Sequence, residues 1–179
     1  MKAIFTILLL SMIAAGPLYA QHKGSAKDQA AIGIGFGLPY GGMGGKLSYN
    51  PADQFTLFGG LGYNFLGVGF NGGFLYSFPT STQTEVYLTG MYGYNAVMDV
   101  EGFSNYQKTY GGPSFGFGVK INSLRKEGAY WDLSLLIPAR SQSFKDTWDE
   151  VKRNPYIEVT SDPWPILFSF GYNFPLTSK

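Results

Sequence analysis

Pro165-Ile-Leu-Phe-Ser-Phe-Gly-Tyr-Asn-Phe174 is the stretch from which the rest of this chain is read. Large apolar side chains occupy every second position: Ile166, Phe168, Phe170, Tyr172 and Phe174. Leu167, Ser169, Gly171 and Asn173 stand between them. A strict period of two is the mark of a β-strand with one apolar face and one small or polar face. A soluble strand would hide such an aromatic row in a core. The expectation here is the opposite: a closing strand whose aromatic row is its outer wall.

The same alternation recurs seven times upstream. Residues 30–40 put Ile32, Ile34, Phe36, Leu38 and Tyr40 on one face, against Ala31, Gly33, Gly35 and Gly37, and Gly41-Gly42 reads as a tight turn. Residues 43–50 set Leu47 and Tyr49 against Lys46 and Ser48, and residues 50–53 are a turn by composition. Residues 54–64 carry Phe55, Leu57, Leu61 and Tyr63 against Thr56 and Phe58, with Phe65-Leu66 capping a short loop. Residues 67–78 carry Val68, Phe70, Phe74, Tyr76 and Phe78 against Asn71, Leu75 and Ser77, and residues 79–83 form the next turn. In residues 84–97 the phase is read with Val86, Leu88, Tyr92 and Tyr94 outward and Glu85, Tyr87, Thr89, Met91 and Asn95 inward. A longer polar loop is expected at 98–110. Residues 111–121 place Phe115, Phe117, Val119 and Ile121 outward with Ser114 and Lys120 inward. Residues 129–139 place Trp131, Leu133, Leu135 and Ile137 outward with Asp132, Ser134 and Leu136 inward, and the longest insertion, 140–164, leads to the closing strand.

Composition narrows the class. Of 179 residues only 14% are charged, 17% are aromatic and 25 are Gly; ordinary soluble domains carry about 25% charged residues and roughly half this share of Gly. Net charge is +1, which leaves no footprint for nucleic acid. With no Cys there are no disulfides and no thiolate metal sites. Residues 1–20 read as a secretory signal: Lys2 is a minimal positive region and 4–15 an apolar run too short to cross a bilayer. Cleavage is expected after Ala20, followed by a polar lead-in, 21–29. No later stretch has the unbroken apolar length of a membrane helix.

These observations give the expected fold class: all-β, an eight-stranded antiparallel up-and-down transmembrane β-barrel over residues 30–175, with a short periplasmic tail, 176–179. Strands of about 10 residues suffice for a tilted crossing. With the N-terminus in the periplasm, the long connections at 98–110 and 140–164 both fall outside the cell. A soluble lipocalin-like barrel has the same period with the faces swapped. The small, weakly charged second face is a poor solvent surface and a good lining for a narrow lumen. Aromatics at strand ends (Tyr40, Tyr49, Phe55, Tyr63, Phe78, Trp131, Phe174) suit interfacial girdles.

With these features stated, the chain resembles the small eight-stranded outer-membrane barrels of the OmpA/OmpX type, over about residues 30–175. The resemblance implies an outer-membrane location, outer-membrane lipid as surroundings and the barrel-assembly machinery as a partner during biogenesis. Many such proteins end on a C-terminal Phe. Here Phe174 is followed by residues 175–179, a departure from that pattern.

Motifs for chemistry are few. Gly112-Pro113-Ser114-Phe115-Gly116 fits the G-x-S-x-G spelling, but it opens a strand with no helix after it. The single His is His22, so His-based hydrolysis or acyl transfer and His-rich metal sites are disfavoured. No catalytic residue, metal or cofactor is expected. The inward charges Lys46, Glu85, Lys120 and Asp132 are read as an ion-paired plug in the lumen, with a gated ion path as the sharper alternative; an eight-stranded barrel is just wide enough to be filled by side chains. In the last insertion Phe144, Trp148 and Val151 recur at helical spacing, with Ser141 or Ser143 as cap and Asn154-Pro155 as stop. That predicts a short external helix over the barrel mouth. The expected role is non-enzymatic: structural, or surface interaction through the external loops with a partner the sequence does not specify. The alternative is binding or passage of a small hydrophobic molecule at Tyr87, Met91 and Leu136.

Overall fold

The computed structural model describes residues 30–78, 83–100, 106–157 and 162–176. The expected signal sequence, the lead-in and most of the tail lie outside the described residues, as does most of the turn read at 79–83.

Eight antiparallel strands follow one another around a closed barrel. They are β1 (Ala30–Gly37), β2 (Gly42–Ala52), β3 (Phe55–Tyr63), β4 (Val68–Ser77), β5 (Thr84–Met98), β6 (Lys108–Asn122), β7 (Tyr130–Pro138) and β8 (Leu167–Pro175). One helix, α1 (Gln142–Arg153), lies between β7 and β8. β8 pairs with β7 on one side and β1 on the other, so the sheet has no free pair of edges. Among the described residues no helix is long and apolar enough to cross a membrane, which says nothing about strands. Both termini of the barrel lie at one end, called here the terminus end; α1 sits at the other, the helix end.

Alternation sets the faces. Ile34, Leu47, Leu61, Phe70, Leu88, Phe117, Ile137 and Phe168, one from each strand, are exposed on the outside. Lys46, Ser48, Thr56, Asn71, Thr89, Ser114, Lys120, Asp132, Ser134, Ser169 and Asn173 are buried inside. The outer aromatics of the closing strand interlock: Trp131 stacks on Phe170 with ring centres 5.2 Å apart, and Tyr172 meets both Trp131 and Phe174 edge-on.

The structure departs from the sequence expectation in four places. First, β1 ends at Gly37, whose φ of 109° turns the chain inward. Leu38–Tyr40 form a single 3-10 turn buried inside the barrel, so Leu38 and Tyr40 are lumen residues and Tyr40 belongs to no girdle. Pro39 explains the break, since it has no N–H for a ladder. Second, Tyr94 packs inward against the lumen core instead of outward. The β5–β6 register slips between Tyr94 and Ala96, and such a bulge puts neighbouring residues on one side. Third, the loop expected at 98–110 is shorter: β5 reaches Met98 and β6 begins at Lys108, a hairpin that stands above the rest of the wall. Fourth, β2 runs on to Ala52 past an irregularity after Tyr49.

Room for the inserted turn comes from glycine. Following the ladders from Asp132 around the wall, the directly paired inward residues are Gly171, Gly35, Gly44, Gly62 and Gly69. This row climbs from the terminus end to the helix end, the stagger that closure demands. A Cβ on Gly171 would overlap the Tyr40 ring, and one on Gly69 would overlap the Gly41 carbonyl. Beside the row, a Cβ on Gly60 would overlap the Pro39 carbonyl oxygen, whereas one on Gly59 would meet nothing within 4 Å.

Gly60→Ala should therefore lower stability by about 1–3 kcal/mol, the usual cost of overpacking, and Gly59→Ala should leave it nearly unchanged. Denaturant midpoints of the two variants check this pair of adjacent positions.

Candidate functional site

The lumen is divided into a sealed polar layer, a packed middle and an open chamber. The polar layer centres on Asp132, placed by β7 and almost wholly buried. Its Oδ2 pairs with Lys46 Nζ from β2 and accepts from Tyr40 Oη at 3.3 Å. Its Oδ1 accepts from Tyr87 Oη of β5. Asn173 Nδ2 donates to Tyr40 Oη at 3.1 Å, joining β8 to the same network. Lys46 also lies over the Tyr40 ring, 4.7 Å from its centre. Asp132, Lys46, Tyr40 and Tyr87 each have a partner, as groups cut off from water require, while the Asn173 Oδ1 has none.

The four inward charges are arranged differently from a four-member cluster. The ladder does set Glu85 beside Lys120 and Lys120 beside Asp132. Yet the close ion pair runs between Lys46 and Asp132. Lys120 Nζ donates to Ser77 Oγ at 3.1 Å and stands 5.5 Å from the centre of the Tyr130 ring. Glu85 accepts from Asn122 Nδ2 at 3.2 Å. Of the two phenols on Asp132, Tyr87 is inward as the alternation of β5 predicts, whereas Tyr40 is the network member that alternation places on the wrong face.

Above this layer Leu38, Phe58, Leu75, Tyr87, Met91 and Leu136 pack together. Tyr87, Met91 and Leu136, read as a lining for a small molecule, instead fill the lumen; the inserted Leu38 occupies the space between them and the chamber. Three asparagines serve the backbone where ladders break. Asn71 Nδ2 donates to the carbonyls of Leu38 and Tyr94, at 2.9 and 3.0 Å, holding the turn and the bulge to the wall. Asn95 Nδ2 donates to the carbonyls of Pro113 and Ala139. Asn64 Oδ1 accepts from the amides of Leu66 and Gly67, closing the β3–β4 turn around Phe65, whose φ is 75°.

The helix end is roofed by α1. Ser141 caps it, accepting from the Phe144 amide at 3.3 Å. Its inward face, Phe144, Trp148 and Val151, packs on Met98 and Tyr110 of the tall β5–β6 hairpin. Tyr110 and Phe144 meet edge to face with centres 5.3 Å apart. Arg140, just before the helix, donates through Nη1 to the Pro163 carbonyl at 3.2 Å and through Nη2 to that of Trp164, tying the start of the insertion to its end.

Between roof and packed middle lies a cavity of about 660 Å³. Leu38, Tyr94 and Leu167 line it from within, and Phe36, Phe65, Leu135 and Phe168 from the outer face of the wall. Residues from both faces meet in one cavity because the wall is notched there. The β1–β8 ladder stops at Phe36–Phe170, so the first residues of β8 have β7 as a neighbour and no continuing β1. The inward turn that seals the lumen also leaves this gap.

Ser114 of the G-x-S-x-G spelling is a buried mid-strand residue of β6 with no turn-to-helix elbow. Among the described residues no three His, Cys, Asp or Glu side chains gather. Comparison with protein-family models, with curated proteins and with solved structures finds no match.

Asp132→Asn leaves the Lys46 charge buried and uncompensated and should cost about 3–5 kcal/mol. Adding Lys46→Met removes that charge, so the double variant should be more stable than Asp132→Asn alone. Denaturant titration of four proteins, the unmodified chain, each single variant and the double variant, measures this; additive losses would mean the pair is not coupled.

Proposed function

We propose that this protein is a non-enzymatic, integral outer-membrane barrel that binds a small hydrophobic molecule in the chamber of its outer half. Membrane residence is supported by the inversion of the soluble pattern. Apolar and aromatic side chains are exposed around the whole circumference, while Lys46, Lys120 and Asp132 are inside. The signal-like residues 1–20 fit the same location, and outer-membrane lipid and the barrel-assembly machinery are then its partners. On this reading α1 and the β5–β6 hairpin face outward from the cell and the terminus end faces the periplasm.

The binding role rests on one observation: a largely apolar cavity, of the size usual for small-molecule sites (~300–1,000 Å³), open through the notch toward the surrounding lipid. A hydrophobic molecule could exchange between membrane and chamber without crossing water. The sealed polar layer below argues against a continuous aqueous path. A structural or surface-interaction role through the loops is the second reading, favoured by Tyr156 and Trp164, aromatic side chains exposed at the helix end.

The protein should resist carbonate extraction, migrate differently in SDS before and after boiling, and give no large steady conductance in planar bilayers. In phosphatidylcholine nanodiscs, dodecanol should shift the amide resonances of Leu38, Tyr94 and Leu167 and leave Leu124 and Glu127, in the β6–β7 turn, unmoved. Absence of cavity shifts would contradict the binding role; carbonate release would contradict the membrane barrel.

A further inference from the structure

Among the described residues lining the chamber, Arg140 alone is ionised. Both Nη atoms are engaged by the Pro163 and Trp164 carbonyls, which fix the plane of the guanidinium. Phe144 covers one face of that plane, 5.1 Å away. The Nε–H is buried and meets no acceptor, and among the described residues no carboxylate lies within salt-bridge distance of the group. Burial without an opposite charge also draws this guanidinium below its ordinary pKa, although Arg stays protonated at any working pH.

These facts discriminate among hydrophobic ligands. A hydrocarbon would leave the Arg140 guanidinium without a counter-ion among the described residues, a cost that charges in apolar surroundings normally avoid. A cationic amphiphile would be repelled. A small polar anion would satisfy Arg140 but leave the walls of Leu38, Leu167 and Phe168 uncovered. A single chain ending in a carboxylate satisfies both, because guanidinium is the side chain best matched to a carboxylate.

Resting on the reading of the cavity as a hydrophobic binding chamber, we infer that its ligand is a fatty acid. The carboxylate sits on Arg140, and the chain runs past Leu38 and Leu167 toward the notch at Phe36 and Phe168. Arg140 is then the residue that separates acids from other amphiphiles, while the notch admits the chain from the membrane.

The test is a set of NMR titrations of the full barrel in phosphatidylcholine nanodiscs at pH 8, with dodecanoate, dodecanol and dodecyltrimethylammonium in turn. Dodecanoate should bind about tenfold or more tightly than dodecanol, as one charge-assisted hydrogen bond allows, and should shift the Arg140 Nε resonance. The ammonium compound should bind more weakly than the alcohol. Arg140→Gln should lower dodecanoate affinity to that of dodecanol and leave dodecanol binding unchanged. Equal affinity of acid and alcohol in the unmodified protein, or a preference that survives Arg140→Gln, would overturn the assignment while leaving the chamber as a hydrophobic site. If neither acid nor alcohol shifts Leu38 or Leu167, the chamber reading itself fails. If discs containing phosphatidylglycerol produce the Arg140 shift without added acid, the occupant is a membrane lipid headgroup and the fatty-acid assignment is wrong.

Discussion

A carboxylate inside a narrow barrel has no access to bulk water, and Asp132 is held there by three donors from three different segments: Lys46, Tyr40 and Tyr87. Two of these come from opposite parts of the wall, and the third from a turn that is not part of the wall at all. Asp132 fixes β2 and β5 against β7, and it fixes the inserted turn against all three. A buried ion pair adds little net stability over an apolar substitute. Its consequence here is positional: the Tyr40 phenol is held at one depth, and Leu38 two residues earlier is thereby set over the packed middle of the lumen.

Insertion of that turn has two effects of opposite sense. Below, the Tyr40 side chain and its partners seal the lumen. Above, the turn removes the top of β1 from the wall and leaves β8 without a β1 neighbour beyond Phe170, paired only with β7. One backbone departure at Gly37 accounts for both the closed lower half and the laterally open upper half. The open half needs a separate roof, which the tall β5–β6 hairpin and α1 supply as a second small core. Arg140 ties the start of the roofing insertion to its end and, if the chamber takes a fatty acid, holds its carboxylate.

Much of this architecture was legible in the residues. The alternation around Phe170, repeated seven times, was enough for strand number, order and most faces, because a two-residue period admits one assignment once the phase of a strand is known. The face of α1 was equally plain, since Phe144, Trp148 and Val151 fall on one side at helical spacing. The inserted turn was not, because Leu38 and Tyr40 continue the outward phase of Ile32, Ile34 and Phe36. The signal against them was Pro39, a residue that does not belong in a ladder. The glycine row was visible as composition only; that Gly35, Gly44, Gly62, Gly69 and Gly171 are neighbours depends on register across five strands. The inward position of Tyr94 depends on a bulge that no local pattern announces. For the chamber, Arg140 in sequence is one cation in a polar insertion; its unpaired Nε and its place beside Leu38 and Phe168 arise only when the barrel closes.

The central claim is that the chain between β1 and β2 folds into the lumen. The most direct measurement is the set of nuclear Overhauser contacts made by the Tyr40 ring in the folded, lipid-embedded protein. This account predicts contacts from the ring to the Gly171 α-protons, and none to lipid acyl chains. Contacts to acyl chains without any to Gly171 would restore a straight first strand with Tyr40 outside, and would contradict the sealed lumen and the notch together.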